Sequence, residues 1–485
     1  MSRRAQRPVR LLGVADDERF LSKETCDAVV RRIRGFAQGG GETMVRIDSW
    51  WHGELRWARN RVDLASDRRD VSVRVTRGLP DGGRADVSTN QLDDRSLQAA
   101  VYAAERQAKH GGGMTIRDIT APAPVFDYQQ PSIWSDTTYR FATDARAQIA
   151  RRITDKVEAA RMLAAGYMEV KAQSTARTAA AGMMYAERTA AQCSMTVRDA
   201  AGTGSGWAGL SSYNWGAIDA DALSARALEK AIASRNPVGI EPGRYTVILE
   251  PQAVHELMKW VVTHLNAGFA GLIGPGRVSA ENVSGPFAAG FDNALGIGRS
   301  KLGLKVVDER ITISHDPMDP ALGVVPWVAN NYDSYAEPVL PVTWIDHGIL
   351  KTLAYDRGYA VYRLGDNVGA VSRDGYRMSG GTTTVDEMIR TTERGLLVTR
   401  FWNTDLLDPG SVLLTGLTRD GLWLIEHGKI SKAVKNFRFT ESPLFVLNSL
   451  DQLGEPVPVF SPDAPAIVPP LKAHDFSFTS LVDAV

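Results

Sequence analysis

Leu422-Trp423-Leu424-Ile425-Glu426-His427-Gly428-Lys429-Ile430 reads as strand, turn, strand. Large apolar side chains fill the first arm. The acidic residue-His-Gly step supplies the turn, because glycine takes the positive φ that tight hairpins need. Ile345-Asp346-His347-Gly348-Ile349 has the same grammar, which places His347 and His427 at exposed turns. Around these hairpins the segments are short, bounded by Gly, Asn, Asp and Pro, and rich in Val, Ile, Leu and Trp. Val342-Thr343-Trp344-Ile345, Gly348-Ile349-Leu350 and Leu396-Leu397-Val398-Thr399 are the clearest. Such spacing predicts a mainly antiparallel β domain or barrel over 241–485. One prominent helix interrupts it, from Pro251 to Ala267.

Upstream the pattern changes to mixed α and β. Leu21 to Phe36 has helical spacing with Cys26, Val29, Val30 and Ile33 on one face. Met44–Asp48 and Val71–Val75 alternate as strands do. Asp93-Asp94 is placed to cap a helix carrying Leu97, Ala100, Val101 and Ala104. These define a unit over 20–115, preceded by a flexible arm over 1–19. A linker follows, His110-Gly111-Gly112-Gly113 and then Ala121-Pro122-Ala123-Pro124. A second α/β unit spans 125–238. It has a helix from Thr143 to Ala165, strand-like runs at 167–171, 183–187 and 192–197, a turn at Gly202–Trp207, and a helix Ala222 to Ala233 capped by Asp221. The fold class is α+β.

The bulk numbers agree with several domains, since 485 residues exceed what one core usually holds. Lys plus Arg and Asp plus Glu are 56 each, so no global charge favours nucleic acid or an acidic membrane surface. The arginines of the first unit interleave with Glu54, Asp63, Asp67 and Asp70, as on a solvated mixed-charge surface. No apolar run is long enough to span a membrane. Arg3-Arg4 is not followed by the apolar stretch of an export signal, so the expected location is cytoplasmic. Cys26 and Cys193 are the only cysteines and are expected as buried apolar residues, not a disulfide or a metal cluster. Gly202-x-Gly204-x-Gly206 lacks the Lys-Ser/Thr of a phosphate loop and reads as a tight turn.

Several stretches together resemble the TldD/PmbA family of zinc peptidases and their metal-free partner subunits. They are Pro242–Pro251, Ile345–Lys351, Arg377–Thr384, Gly395–Thr399 and Gly421–Ile430. The resemblance runs from about residue 20 to 480. Each motif is weak alone, and their order and spacing carry the comparison.

The resemblance implies a test on one helix. Zinc peptidases need protein ligands, an open position for water and a carboxylate to take the water's proton. The family's active subunit carries these as His-Glu-x-x-x-His, with a cysteine nearer the C-terminus. The matching helix here is Pro251-Gln252-Ala253-Val254-His255-Glu256-Leu257-Met258-Lys259-Trp260-Val261-Val262-Thr263-His264-Leu265. Counting from His255, the second histidine falls on Trp260. Counting back from His264, the first histidine falls on Lys259 and the glutamate on Trp260. Neither register completes the motif. His255 and His264 are nine residues apart, roughly 180° around a helix, so they cannot share one ion. The pattern reads as two boundary histidines flanking an apolar stripe of Val254, Leu257, Met258, Val261, Val262 and Leu265. The late cysteine is also missing, since Glu455–Asp463 offers no soft ligand. His315 and His474 lack ligand spacing.

No metal is therefore expected in this chain; His255 and His264 are the ligands to test if one is found. The resemblance implies a TldE/PmbA-like partner subunit, with zinc in a TldD-like paralogue and a flexible peptide as substrate, taken by strand addition. Two alternatives stay open: an autonomous metallopeptidase with a relocated site, and a homomeric peptide-binding protein. Either way the chain is expected to pair, with a paralogue or with itself. Phe401, Trp402 and Leu444-Phe445-Val446-Leu447 are candidate interface residues.

Overall fold

The computed structural model describes residues 19–80, 82–110, 133–179, 182–266, 272–274, 277–278, 286–292, 297–325, 327–329, 336–355, 360 and 375–482. The arm expected before residue 19 and the linker after His110 lie outside these residues.

The N-terminal half is built on one antiparallel sheet. Its strands are β1 (Glu42–Ala58), β2 (Arg61–Gly78), β3 (Arg84–Thr89), β4 (Met162–Ala179), β5 (Gly182–Asp199) and β6 (Ser205–Ser212), in the order β3-β2-β1-β4-β5-β6. The units read separately at 20–115 and 125–238 thus contribute three strands each to a single sheet. The joint is β1 against β4, running from Arg46↔Arg177 to Trp57↔Gly166. Local sequence patterns carry no information about so distant a partner.

Helices α1 (Lys23–Phe36), α2 (Asp94–Lys109), α3 (Asp136–Tyr139), α4 (Thr143–Ala159) and α5 (Ala220–Ala233) complete this half. The α1 stripe of Cys26, Val29, Val30 and Ile33 packs on Val45, Ile47, Val71, Val73 and Val75. Ala150, Ile153 and Val157 of α4 and Ala227 and Ala231 of α5 pack on Leu55, Met168, Val170, Cys193 and Val197. Asp93 caps α2, accepting from the Ser96 N–H. Two helix ends differ from expectation. Helix α4 stops at Ala159, because Met162–Ala165 pair with Thr196–Asp199, and Arg161 turns the chain at φ +57°. Tertiary strand pairing overrides the helix preference of the alanines. Helix α5 is capped by Asp219, two residues before the expected Asp221.

The C-terminal half is strand-rich, as expected. A nine-stranded sheet runs from Phe401–Asp408 through Leu413–Thr418, Phe437–Glu441, Leu471–Leu481, β7 (Gly243–Leu249), Arg394–Val398 and Leu422–Glu426 to Lys429–Ala433, with Leu450–Leu453 beside Leu471–Leu481. All its pairs are antiparallel except β7 with Arg394–Val398. His347 and His427 sit at the hairpin turns with positive φ, each followed by a glycine at +77°. A six-stranded sheet that includes Ile313–His315, Val342–Asp346 and Tyr376–Met378 faces the prominent helix α6 (Pro251–His264) from another side. No helix among the described residues is long and apolar enough to cross a membrane.

Candidate functional site

Helix α6 starts with proline at its first turn, where the missing N–H costs nothing. Ala253 through Met258 are buried without interruption, while Lys259 and Thr263 are exposed. The helix is therefore enclosed on more than one side, and its histidines are core residues, not the boundary residues expected. His255 lies against Tyr376, with Nδ1 2.9 Å from the phenol oxygen. Burial, with a smaller effect from Lys259, lowers its pKa to about 4, so the ring is neutral. His264 turns back on its own helix, Nδ1–H donating to the Trp260 carbonyl at 2.7 Å. The two side chains serve different structural partners.

Glu256 is the residue that sequence reasoning undervalued. It lies in the interior, and burial pushes its pKa up to about 7 against the opposing pull of Arg400. Its carboxylate accepts the backbone N–H of Phe401 and the Gln252 amide (3.3 Å), and Arg400 Nε stands 3.7 Å away. Arg400 continues outward. Its Nη1 is 3.6 Å from Asp420, which accepts the Ser205 hydroxyl, and its guanidinium lies 4.4 Å from the Trp207 ring centroid. A chain of polar contacts therefore links α6 to β6 of the N-terminal half. The one signal for it in the sequence was an acidic residue inside an apolar helix.

Lys259 and Trp260 point away from any metal geometry. Lys259 is exposed, 5.9 Å from the Trp260 ring centroid, and Trp260 packs against the large core. The structure does bring the late segment to α6: Gln252 Oε1 accepts the Phe460 N–H at 3.1 Å, and its amide donates to the Phe460 carbonyl at 3.2 Å. The place where the family's cysteine is expected is thus occupied by a backbone clamp.

The other histidines are scattered. His315 is buried and bonds the Gly375 carbonyl, His347 and His427 are exposed at their turns, and His474 meets Thr246. Burial pushes the pKa of Cys26 and of Cys193 up to about 12, consistent with inert core thiols. Among the described residues no group of three or more His, Cys, Asp or Glu side chains is arranged to hold a metal ion. Of the interface candidates, Phe401, Val446 and Leu447 are core residues, whereas Trp402 and Phe445 are exposed.

Residues 242–480 match the model of the PmbA/TldA metallopeptidase C-terminal domain. This chain belongs to the PmbA/TldD family. Three solved structures share its fold over nearly its whole length. A proposed DNA gyrase modulator from Bacteroides thetaiotaomicron is 17% identical, covers 95% of this chain and 100% of its own, and superposes with a TM-score of 0.76. A second protein of that description, from Thermotoga maritima, gives 15%, 94%, 100% and 0.74. TldE from Thermococcus kodakarensis gives 15%, 94%, 100% and 0.73. No curated protein matches the sequence. Zinc is the metal a metallopeptidase of this family implies, and the residues at the motif helix do not fit it. The carboxylate beside His255 is committed to Phe401, and the next motif position is a packed tryptophan.

Proposed function

We propose that this chain is a metal-free TldE/PmbA-type subunit that pairs with a zinc-bearing paralogue to make a peptidase for flexible peptides. The commitment of Glu256 carries this reading. A catalytic carboxylate must reach a metal-bound water. Here it is enclosed and holds the Phe401 backbone and the Arg400 joint. The helix that would serve catalysis serves instead as a pillar between two sheets. In the complex this chain shapes the peptide chamber and offers strand edges, while the paralogue supplies the zinc.

The test is co-expression with a paralogue carrying an intact His-Glu-x-x-x-His. The two chains should co-purify, cleave unstructured peptides together, and lose activity when the paralogue's glutamate is replaced. The isolated chain should hold well under one zinc. Stoichiometric zinc surviving dialysis on the isolated chain, with peptidase activity, would overturn the proposal.

A further inference from the structure

A cavity of about 290 Å³ lies where the two halves meet. Its wall is made by the turn from β5 to β6, the residues just after α5, the segments 420–422 and 434–436, and Val482. Pro237, Leu422, Val434 and Val482 make much of that wall apolar. Asp420 is the one carboxylate of the lining, and Lys435, its one cation, is exposed.

Asp420 is only 2% exposed. Its Oδ1 accepts the Ser205 hydroxyl. Its Oδ2 accepts no hydrogen bond from the described residues, and Arg400 Nη1 stands 3.6 Å from it, beyond hydrogen-bond distance. Arg400 is also shared, because its Nε lies 3.7 Å from Glu256. Two buried carboxylates therefore face one guanidinium. The other cations act from farther off. Lys230 bonds Glu250 at 2.6 Å, Arg419 stands over the Trp402 ring, and Lys259, which acts on Glu256, is exposed. With both carboxylates ionised, the trio of Glu256, Arg400 and Asp420 carries a net negative charge in the interior, where an uncompensated charge is costly. A proton on Glu256 removes that charge, and burial raises its pKa to about 7. A cation brought to Asp420 through the cavity removes it equally well.

We propose that this cavity binds a protonated primary amine on a short aliphatic chain. The ammonium donates to Asp420 Oδ2, and the chain lies against Leu422, Val434 and Val482. A single carboxylate suits an ammonium and not a calcium or magnesium ion, which takes several oxygen ligands. The amine is a free alkylamine or a lysyl side chain; both present the same ammonium. Its binding leaves Arg400 to Glu256, so amine and proton relieve the same excess charge and compete. Occupancy of the cavity is thereby linked to α6. The inference goes beyond the peptidase reading and is independent of it, so the isolated chain suffices to test it.

The experiment is calorimetric titration of the isolated full chain at low salt with n-butylamine, n-butanol and Nα-acetyl-lysine amide. n-Butylamine should bind roughly tenfold more tightly than n-butanol, which has the same shape and no charge. It should also bind several-fold more tightly at about pH 8 than at about pH 6, since the alkylamine stays protonated across that range while Glu256 does not. Binding of the lysine derivative as well identifies a lysyl side chain as ligand; binding of butylamine alone identifies a free amine. Asp420→Asn should abolish the preference for amine over alcohol. Asparagine tolerates the φ of +58° at this position and still accepts the Ser205 hydroxyl, so the fold is kept. Glu256→Gln should retain weak amine binding and lose its pH dependence. Equal affinity for butylamine and butanol, no binding of either amine, or a preference unchanged in Asp420→Asn overturns the site. An amine affinity that does not vary with pH in the unaltered chain overturns the charge sharing on which the proposal stands.

Discussion

Glu256 on α6 accepts the backbone N–H of Phe401, the first residue of a strand that follows it by 145 positions. A strand start is thereby fixed to a helix interior by a titratable group. Since that group sits among Gln252, Lys259, Arg400 and the Phe401 amide, its ionisation couples directly to folding.

The first expectation concerns pH. The Glu256 carboxyl titrates at about 7 in the fold and at 4.5 in its ordinary state. Between these values the folded chain holds a proton that the unfolded chain has released. By linkage, this group's contribution to stability rises as pH falls from about 7 to 4.5. The full effect is on the order of 3 kcal/mol. Glu256→Gln should remove it. Urea midpoints across that range, compared between the two proteins, read the difference directly. Parallel curves would show that Glu256 is ionised throughout.

His255 acts in the opposite sense. Its pKa falls from 6.5 to about 4, so the unfolded chain binds the extra proton and stability drops as pH falls through that window. Tyr376→Phe removes the partner of Nδ1 and should cost about 1–3 kcal/mol at neutral pH. Chemical denaturation checks the cost. A neutral outcome would mean that the histidine finds another partner.

Rebuilding the motif should fail. Lys259→His with Trp260→Glu writes His-Glu-x-x-x-His ending at His264. Yet His264 is bonded to its own helix, and no cysteine follows Cys193. A charged group would replace a half-buried ring packed on the core, costing about 2–4 kcal/mol. The double variant should melt earlier and bind zinc only weakly in calorimetric titration. Tight zinc binding with activity in the isolated variant would mark a recently disabled peptidase and end the specialised-partner reading.

The hairpin turns give a fourth check. Gly428 has φ +77°, and a Cβ there would lie 2.7 Å from the Arg390 carbonyl oxygen. Gly428→Ala should destabilise by more than about 1 kcal/mol, visible as a lower Tm. His427 has an 84% exposed side chain at a positive φ. His427→Asn should change stability by less than about 0.5 kcal/mol, because asparagine tolerates that conformation.

The elements that the sequence announced are those governed by local chemistry. The α1 stripe, the Asp93 cap, the His-Gly turns and the start of α6 at Pro251 all follow from near neighbours. What it did not announce depends on distant partners: β1 beside β4, β7 parallel to Arg394–Val398, and the burial of His255 and Glu256. A helical stripe predicts one covered face. It has no means of revealing that Tyr376 and Arg400, more than 100 residues away, cover the others. The departure from the zinc motif was legible at Trp260. The use to which Glu256 is put was not.

The position of Leu471–Leu481 sets an order of events during synthesis. It lies between β7 and Phe437–Glu441, in the middle of the nine-stranded sheet, yet follows every other strand of that sheet in the chain. At about 5–20 residues per second, β7 leaves the ribosome roughly 10–45 s before its neighbour exists. During that interval its edge is open, and it carries Val247, Ile248 and Leu249, which end up fully buried. The newborn chain therefore passes through a period of exposed, unpaired apolar strand, when chaperone capture competes with aggregation. Synthesis in the absence of chaperones should lose more of this protein to inclusion bodies than its final stability alone would suggest.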